Sequence, residues 1–489
     1  MIPHVASRPW RDPWNHRQDA HATTHTMTSS HTERQKVKQK DPYLLTEEQI
    51  KEPPKGWRAS LRHLGPGMIL SASIVGSGEL IATTVLGAKV GFVTLWVILV
   101  SCLVKVALQL EFGKHVISSG EPTMVALNQL PGPRLKVSWA IWGWLLIYVV
   151  KFIQEGGVLG GVALALKIAF PKLTVESWAW IVAVSVSLLV FRGYYVFIQG
   201  AAVLMTALFT ITILACVVFL QFTPYAFSFA DIRSGLTFHL PQAAVAVAIG
   251  AFGITGIGGD EIMHYVYWCI EKGYARFTGP RRDSEEWVRR AKGWISVMRK
   301  DAILSMVVYT VVTAAFYILG AAVLHGRGEI PEGYGTVETL SKMYTESLGG
   351  WAKGIFLVGA VVVLYSTLFA ALAAWARQFA DAFGRLGMID FFNPRQRGLF
   401  IAVFAWISPV IWTILFLKMK DPVLMVVLGG IATSIMLLLV VYVALHFRHR
   451  RLPVELKPSK AYDAWLWLSA IAIVSFGIYS VFKLFLGKR

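Results

Sequence analysis

Acidic side chains set among glycines inside long apolar runs are the residues of this sequence best placed to do chemistry. One such stretch is SASIVGSGELIATT, residues 71–84, with Gly76, Ser77, Gly78 and Glu79. Another is AIGAFGITGIGGDEIMHYVYW, residues 248–268, where Gly250, Gly253, Gly256, Gly258 and Gly259 precede Asp260 and Glu261. Glycine permits unusual dihedrals and close approach of a ligand to the backbone. Unwound backbone at membrane depth is tolerated only where it lines a cavity or is packed in protein. An acid there is expensive and marks a functional site by default. Close helix packing through small residues explains the glycines but not three carboxylates beside them. Gly76, Ser77, Gly78, Glu79, Gly258, Gly259, Asp260 and Glu261 are therefore the expected substrate-binding set. Glu79 and Asp260 are its expected metal ligands, with Ser77 and the carbonyls around Gly76 and Gly258 completing the shell. Carboxylate and carbonyl oxygens suit hard ions such as Mg²⁺, Mn²⁺ or Ca²⁺.

The elements that must position these groups are membrane helices. The 489 residues are 55% hydrophobic and 16% charged, a combination foreign to a soluble protein of this length. Apolar runs predict eleven spans: 64–87, 91–113, 137–168, 177–193, 196–221, 242–270, 299–325, 350–381, 398–418, 421–447 and 463–486. The +18 net charge sits in the connecting segments, in the positive-inside pattern, and not in a nucleic-acid interface. Segments 51–63, 114–136, 271–298, 382–397 and 448–462 are basic and all fall on one side. That places the N-terminus in the cytoplasm and the C-terminus outside a multi-pass protein of the cell (cytoplasmic) membrane. Residues 1–56, polar and holding His4, His16, His21, His25 and His31, are expected to be a disordered cytoplasmic tail. Residues 57–489 form the membrane domain. Cys102, Cys216 and Cys269 lie in or beside apolar segments, with no disulfide framework or metal-binding spacing.

Other charges invite specific readings. Lys151 and Glu155 stand four apart on one predicted helix and are expected to pair. With His264 they are also the candidates for a proton or gating pathway. Lys105 and Glu111 are read as structural. Arg377 and Asp381 suggest a pair at the cytoplasmic end of the eighth span, and Pro409 a kink in the ninth. His264, Tyr265, Tyr267 and Trp268 follow the acids; they serve either packing or an organic ammonium held by cation–π contact.

The first span, GPGMILSASIVGSGELIATTVLGAKVG, resembles the opening span of the Nramp family of divalent-metal transporters, which has a GP start, a D-P-G-N break and a small-residue run. The third, KFIQEGGVLGGVALAL, is similar to the family segment in which a glutamate precedes glycines. The resemblance covers roughly residues 60–450. It implies an all-α integral membrane protein of the LeuT-like 5+5 inverted-repeat fold, with unwound first and sixth spans. Its repeats would be about 60–221 and 242–447, with an extra helix at 463–486. The departures concern the site. Gly76 stands for the family's metal-binding aspartate and Glu79 for its asparagine. Gly258 and Asp260 stand for the methionine and histidine of its M-P-H motif. Phe152, beside Lys151, falls near the third-span aspartate, while Glu155 matches the family glutamate.

The resemblance and the residues together predict a secondary transporter of a divalent cation, a hard ion such as Mn²⁺ or Mg²⁺. It would work by alternating access; the resemblance implies symport with protons, but Lys151 near the place of a family acid speaks against the family's usual proton path. An organic cation or amino-acid-like solute on the same fold is the alternative; the GSG break resembles the motif that receives a substrate carboxylate in amino-acid transporters. A non-transporting sensor is a third reading. No soluble segment is large enough to house an enzyme, and HExxH and GxSxG are lacking. The expected partners are the transported cation and the lipid bilayer, with no cofactor, nucleic acid or obligate protein partner.

Overall fold

The computed structural model describes residues 41–486, apart from 68–70, 72, 73, 75, 77 and 192–194. Ser77 and the histidines of the first forty residues lie outside the described residues. A π-helical turn, Gly78–Thr83, leads into α1 (Thr84–Val90). There follow α2 (Leu95–Ser119), α3 (Trp139–Ala169), α4 (Val175–Phe191) and α5 (Tyr195–Phe219). The sixth span is split into α6 (Val245–Ile254) and α7 (Gly259–Lys272). Then come α8 (Glu285–Leu319), α9 (Ala352–Arg385), α10 (Pro394–Met419), α11 (Pro422–His446) and α12 (Lys460–Leu486). Among the described residues, eight helical runs are long and apolar enough to cross a membrane. The run Gly78–Ser119 takes in the end of the first expected span and the whole of the second, and two shorter apolar helices overlap the fourth and fifth.

Local sequence sets the helix ends. Ser138 Oγ accepts from the Ala140 N–H at 3.2 Å to start α3. Asn393 and Asp421 cap α10 and α11, each followed by proline at the first helical position. The second expected break resolves into two uses of glycine. Gly250 and Gly253 are packing residues: a Cβ on Gly253 would sit 2.0 Å from the Gly430 carbonyl oxygen of α11. Gly256, at φ +64°, and Gly258 belong to the interruption itself. On α3, Gly156 and Gly157 bring α10 and α11 equally close, with Cβ positions 2.8 Å from the Trp412 and Pro422 carbonyls. These contacts set α3, α6, α7 and α11 around one centre.

The described part of the polar N-terminal segment is packed, which corrects its assignment as a disordered tail over 41–56. Asp41 is buried and accepts from Arg397 at 2.9 Å; the Arg397 guanidinium also lies over the Tyr43 ring at 4.7 Å. The Lys51 carbonyl takes the Trp294 indole N–H at 3.0 Å. Hydrophilic composition hides this, because a few residues with specific partners anchor the whole stretch. Removing one side of a buried ion pair costs about 3–5 kcal/mol locally. Asp41→Asn should thus speed tryptic cleavage at Lys51 and Lys55 by about tenfold or more, while leaving the melting of the bundle unchanged. Equal cleavage rates would show that the pair does not hold the segment.

Candidate functional site

The two breaks meet each other. Glu79, fully buried at the start of the π-helical turn, accepts through Oε1 from the Gly256 N–H at 3.2 Å and from Thr313 Oγ1 at 3.0 Å. Among the described residues its Oε2 has no partner. Gly78 lies against the Ile254 carbonyl, which a Cβ would meet at 3.0 Å. Where α6 ends, the freed carbonyls are satisfied from α2. Lys105 Nζ donates to Gly253 O at 3.0 Å and Thr255 O at 2.8 Å, and Ser101 Oγ donates to Phe252 O at 2.9 Å. A cation thus sits at the negative end of the α6 dipole. At the start of α7 the logic reverses: Glu261 Oε2 accepts from the Gly258 N–H at 2.7 Å, and Asp260 and Glu261 occupy the first turn. Lys105→Met should leave these buried carbonyls short of donors and destabilise the protein by about 2–3 kcal/mol, measured as a lower melting temperature in detergent. An unchanged melt would show that the carbonyls find other partners.

Between the breaks and α3 lies a small cavity of about 40 Å³. Its polar lining is Lys151, Gln154, Glu155, Asp260, Glu261, His264 and Thr367, with Trp268 and Trp375 as walls. Lys151 Nζ is 3.0 Å from Asp260 Oδ2, 2.7 Å from Gln154 Oε1 and 3.0 Å from Thr433 Oγ1. Glu155 Oε2 is buried without a partner among the described residues. The Tyr148 hydroxyl gives its proton to Gln378 Oε1 at 2.8 Å, and His264 Nε2 lies 2.9 Å from the same hydroxyl. The hydroxyl's one proton being spent, His264 is the donor in that bond. The arrangement supplies hard oxygen donors and one ammonium in a space of ionic size.

An ion pair stands beside this site, against Trp268. Arg377 Nε donates to Glu271 Oε1, and Arg377 Nη2 donates to Glu271 Oε2 at 3.2 Å. The Arg377 guanidinium lies over the Trp268 ring at 5.2 Å, and Tyr43 Oη donates to Glu271 Oε1 at 3.1 Å. Trp268 lines the cavity, the Arg377 guanidinium lies against it, and Tyr43 is bonded to the Glu271 end of the pair.

Several expected placements change. Glu79, expected as a metal ligand beside Asp260, is not among the residues that line the cavity; its carboxylate ties the first span to the Gly256 break and to α8. Among the described residues no group of three or more His, Cys, Asp or Glu side chains is gathered as a metal cluster. Lys151 pairs with Asp260 across helices, not with Glu155 along α3. Arg377 pairs with Glu271, while Asp381 accepts from the Met124 N–H at 3.0 Å and from Tyr267 Oη at 2.8 Å. Of the sixth-span aromatics, His264 and Trp268 reach the cavity, whereas Tyr265 and Tyr267 are core residues. Gly78 and Gly258 line the cavity, Gly76 is a buried turn residue, and Gly259 packs on Leu437 of α11. Gln154, Thr433, Tyr148 and Gln378 were not foreseen. Gln154 alone carried a signal, three residues after Lys151 on one helix.

With the geometry in hand, the comparisons decide the lineage. Residues 67–483 match the family described as Natural resistance-associated macrophage protein-like, Nramp. The chain belongs to the Nramp family. An uncharacterized protein of Pasteurella multocida is 25% identical over 348 residues, 68% of this chain and 73% of that one. The Divalent metal cation transporter MntH of Xanthomonas campestris pv. campestris is 25% identical over 458 residues, 89% of this chain and 94% of that one. The crystal structure of the Eremococcus coleocola manganese transporter superposes with a TM-score of 0.63 at 16% identity, covering 90% of this chain and 91% of that one. The fold is accordingly the LeuT-like one of the Nramp family, with its first and sixth spans interrupted. Within it, this Nramp chain places an aspartate–lysine pair at the centre of the site. Its nearby thioether, Met263 Sδ, is engaged instead by Gln378 Nε2 at 3.6 Å.

Proposed function

We propose that this Nramp protein is a secondary transporter of a divalent metal cation, a carrier and not an enzyme, working by alternating access across the cytoplasmic membrane. The observation that carries this reading is the cavity: Asp260, Glu261 and Glu155 line a space of about 40 Å³ together with one ammonium, that of Lys151. Such a volume takes a few waters or one ion. Oxygen donors, with no thioether among the described lining residues, favour a hard ion, Mn²⁺ or Mg²⁺, over softer metals. The names of the Xanthomonas and Eremococcus proteins agree with a metal cargo.

In this reading Asp260 is the primary ligand, and Glu261 and Glu155 add charge. Glu79 couples the two breaks so that the halves of the site move together. The Trp268, Arg377–Glu271 and Tyr43 layers form the closed gate, on the cytoplasmic side if the basic segments face inward. His264, bonded to Tyr148 and through it to Gln378, is the group we assign to a proton route. Trp268 and Trp375 keep a second reading, an organic ammonium, in play, but the cavity is far smaller than an amino acid requires.

The test is uptake into proteoliposomes holding a fluorescent divalent-ion indicator. Saturable entry of Mn²⁺ or Mg²⁺ is the expected result. Well-folded protein that admits neither ion yet takes up labelled choline or an amino acid would overturn the metal reading.

A further inference from the structure

We propose that Lys151 is a tethered stand-in for the cargo: its ammonium occupies the Asp260 site when no ion is bound, and must leave Asp260 for a divalent cation to enter. The proposal rests on the cation-carrier reading above. Three observations support it. All three ammonium protons have acceptors, Asp260, Gln154 and Thr433, so the group is positioned and not adrift. Two of those acceptors, on α3 and α11, remain when Asp260 is given up. A second carboxylate waits one turn along the same helix: Glu155 faces the cavity, and its Oε2 has no partner among the described residues. The spacing of four residues lets Lys151 reach it.

The arrangement selects by charge. A monovalent ion arriving at Asp260 only exchanges one positive charge for another and must compete with an ammonium that never diffuses away. A divalent ion gains from the exchange, because two charges replace one opposite Asp260 and Glu261. The displaced ammonium then neutralises Glu155. Lys151 thereby keeps Asp260 from standing as a bare buried charge in the empty carrier, which would be costly. It also excludes the abundant monovalent ions.

Titration calorimetry on purified full-length protein tests this with Mn²⁺, Mg²⁺, Na⁺ and K⁺. If the ammonium fills the site most of the time, Lys151→Gln binds Mn²⁺ or Mg²⁺ about tenfold tighter or more. It also gains measurable binding of Na⁺ or K⁺. Lys151→Arg, which keeps the charge, stays selective for divalent ions. Lys151→Met replaces the glutamine variant if that one does not fold. Divalent binding by the wild type with no tightening and no monovalent binding in the neutral variants overturns the stand-in and leaves the carrier reading intact. So does wild-type protein that already binds Na⁺ or K⁺ at the site. Folded wild type and variants that all fail to bind any divalent ion sink the carrier reading, and the stand-in with it.

Discussion

Asp260→Asn is expected to lower divalent-cation uptake by about 100-fold or more. The substitution preserves size and removes the carboxylate charge that faces the cavity and Lys151. A charge-assisted contact is worth roughly 1.5–3 kcal/mol on its own, and the uncompensated ammonium left in the cavity adds repulsion against the incoming ion. Every 1.4 kcal/mol is about tenfold in affinity. Glu79→Gln is the informative contrast. Glutamine can still accept from Gly256 and Thr313, and the side chain does not line the cavity. Its Mn²⁺ affinity should stay within about threefold of wild type, since no contact to the ion is lost. Equal losses in both variants would return Glu79 to the ion's ligand shell.

The second large effect concerns the scaffold. Gly253→Val should destabilise the protein by about 3 kcal/mol or more, read as a sharp drop in melting temperature and in the yield of folded protein. The Cβ of any larger residue would lie 2.0 Å from the Gly430 carbonyl oxygen and 2.7 Å from Ser434 Oγ, and the first of these is backbone that cannot rotate away. Displacing α6 from α11 would also loosen the Lys105 and Ser101 bonds that hold the end of α6. By contrast, Gly398 of α10 has nothing within 4 Å of its Cβ position, and Gly398→Ala should be neutral or slightly stabilising. Similar melts for Gly253→Val and wild type would show that α6 and α11 tolerate separation.

Much of this site was legible in the sequence. Clustered glycines beside acids inside apolar runs located both breaks, and Asp260, Glu261, Glu155, Lys151 and His264 all line one cavity. What failed was pairing. Sequence shows only neighbours along a helix, so Lys151 was matched to Glu155 and Arg377 to Asp381. The observed partners, Asp260 and Glu271, both lie on α7 and are delivered by tertiary packing. Glycines at 156 and 157 allow α3 its close approach, and nothing in their pattern says which helix will arrive. The direction of the Glu79 side chain was not legible for a different reason. That residue lies on a π-helical turn, where the regular helical period no longer tells which way a side chain points. Asp41 and Tyr43 were hidden by the polar composition around them, since two anchoring residues scarcely alter the average of a long hydrophilic segment.

The central claim is that a divalent cation sits at Asp260 in the cavity between the breaks. Anomalous diffraction from crystals of the protein grown with Mn²⁺ tests it directly. The account predicts a single manganese peak about 2.0–2.6 Å from an Asp260 carboxylate oxygen, the range of hard-cation bonds, with the Lys151 ammonium moved away from it. A peak at Glu79 with Asp260 still paired to Lys151, or an empty cavity at saturating Mn²⁺, would contradict it.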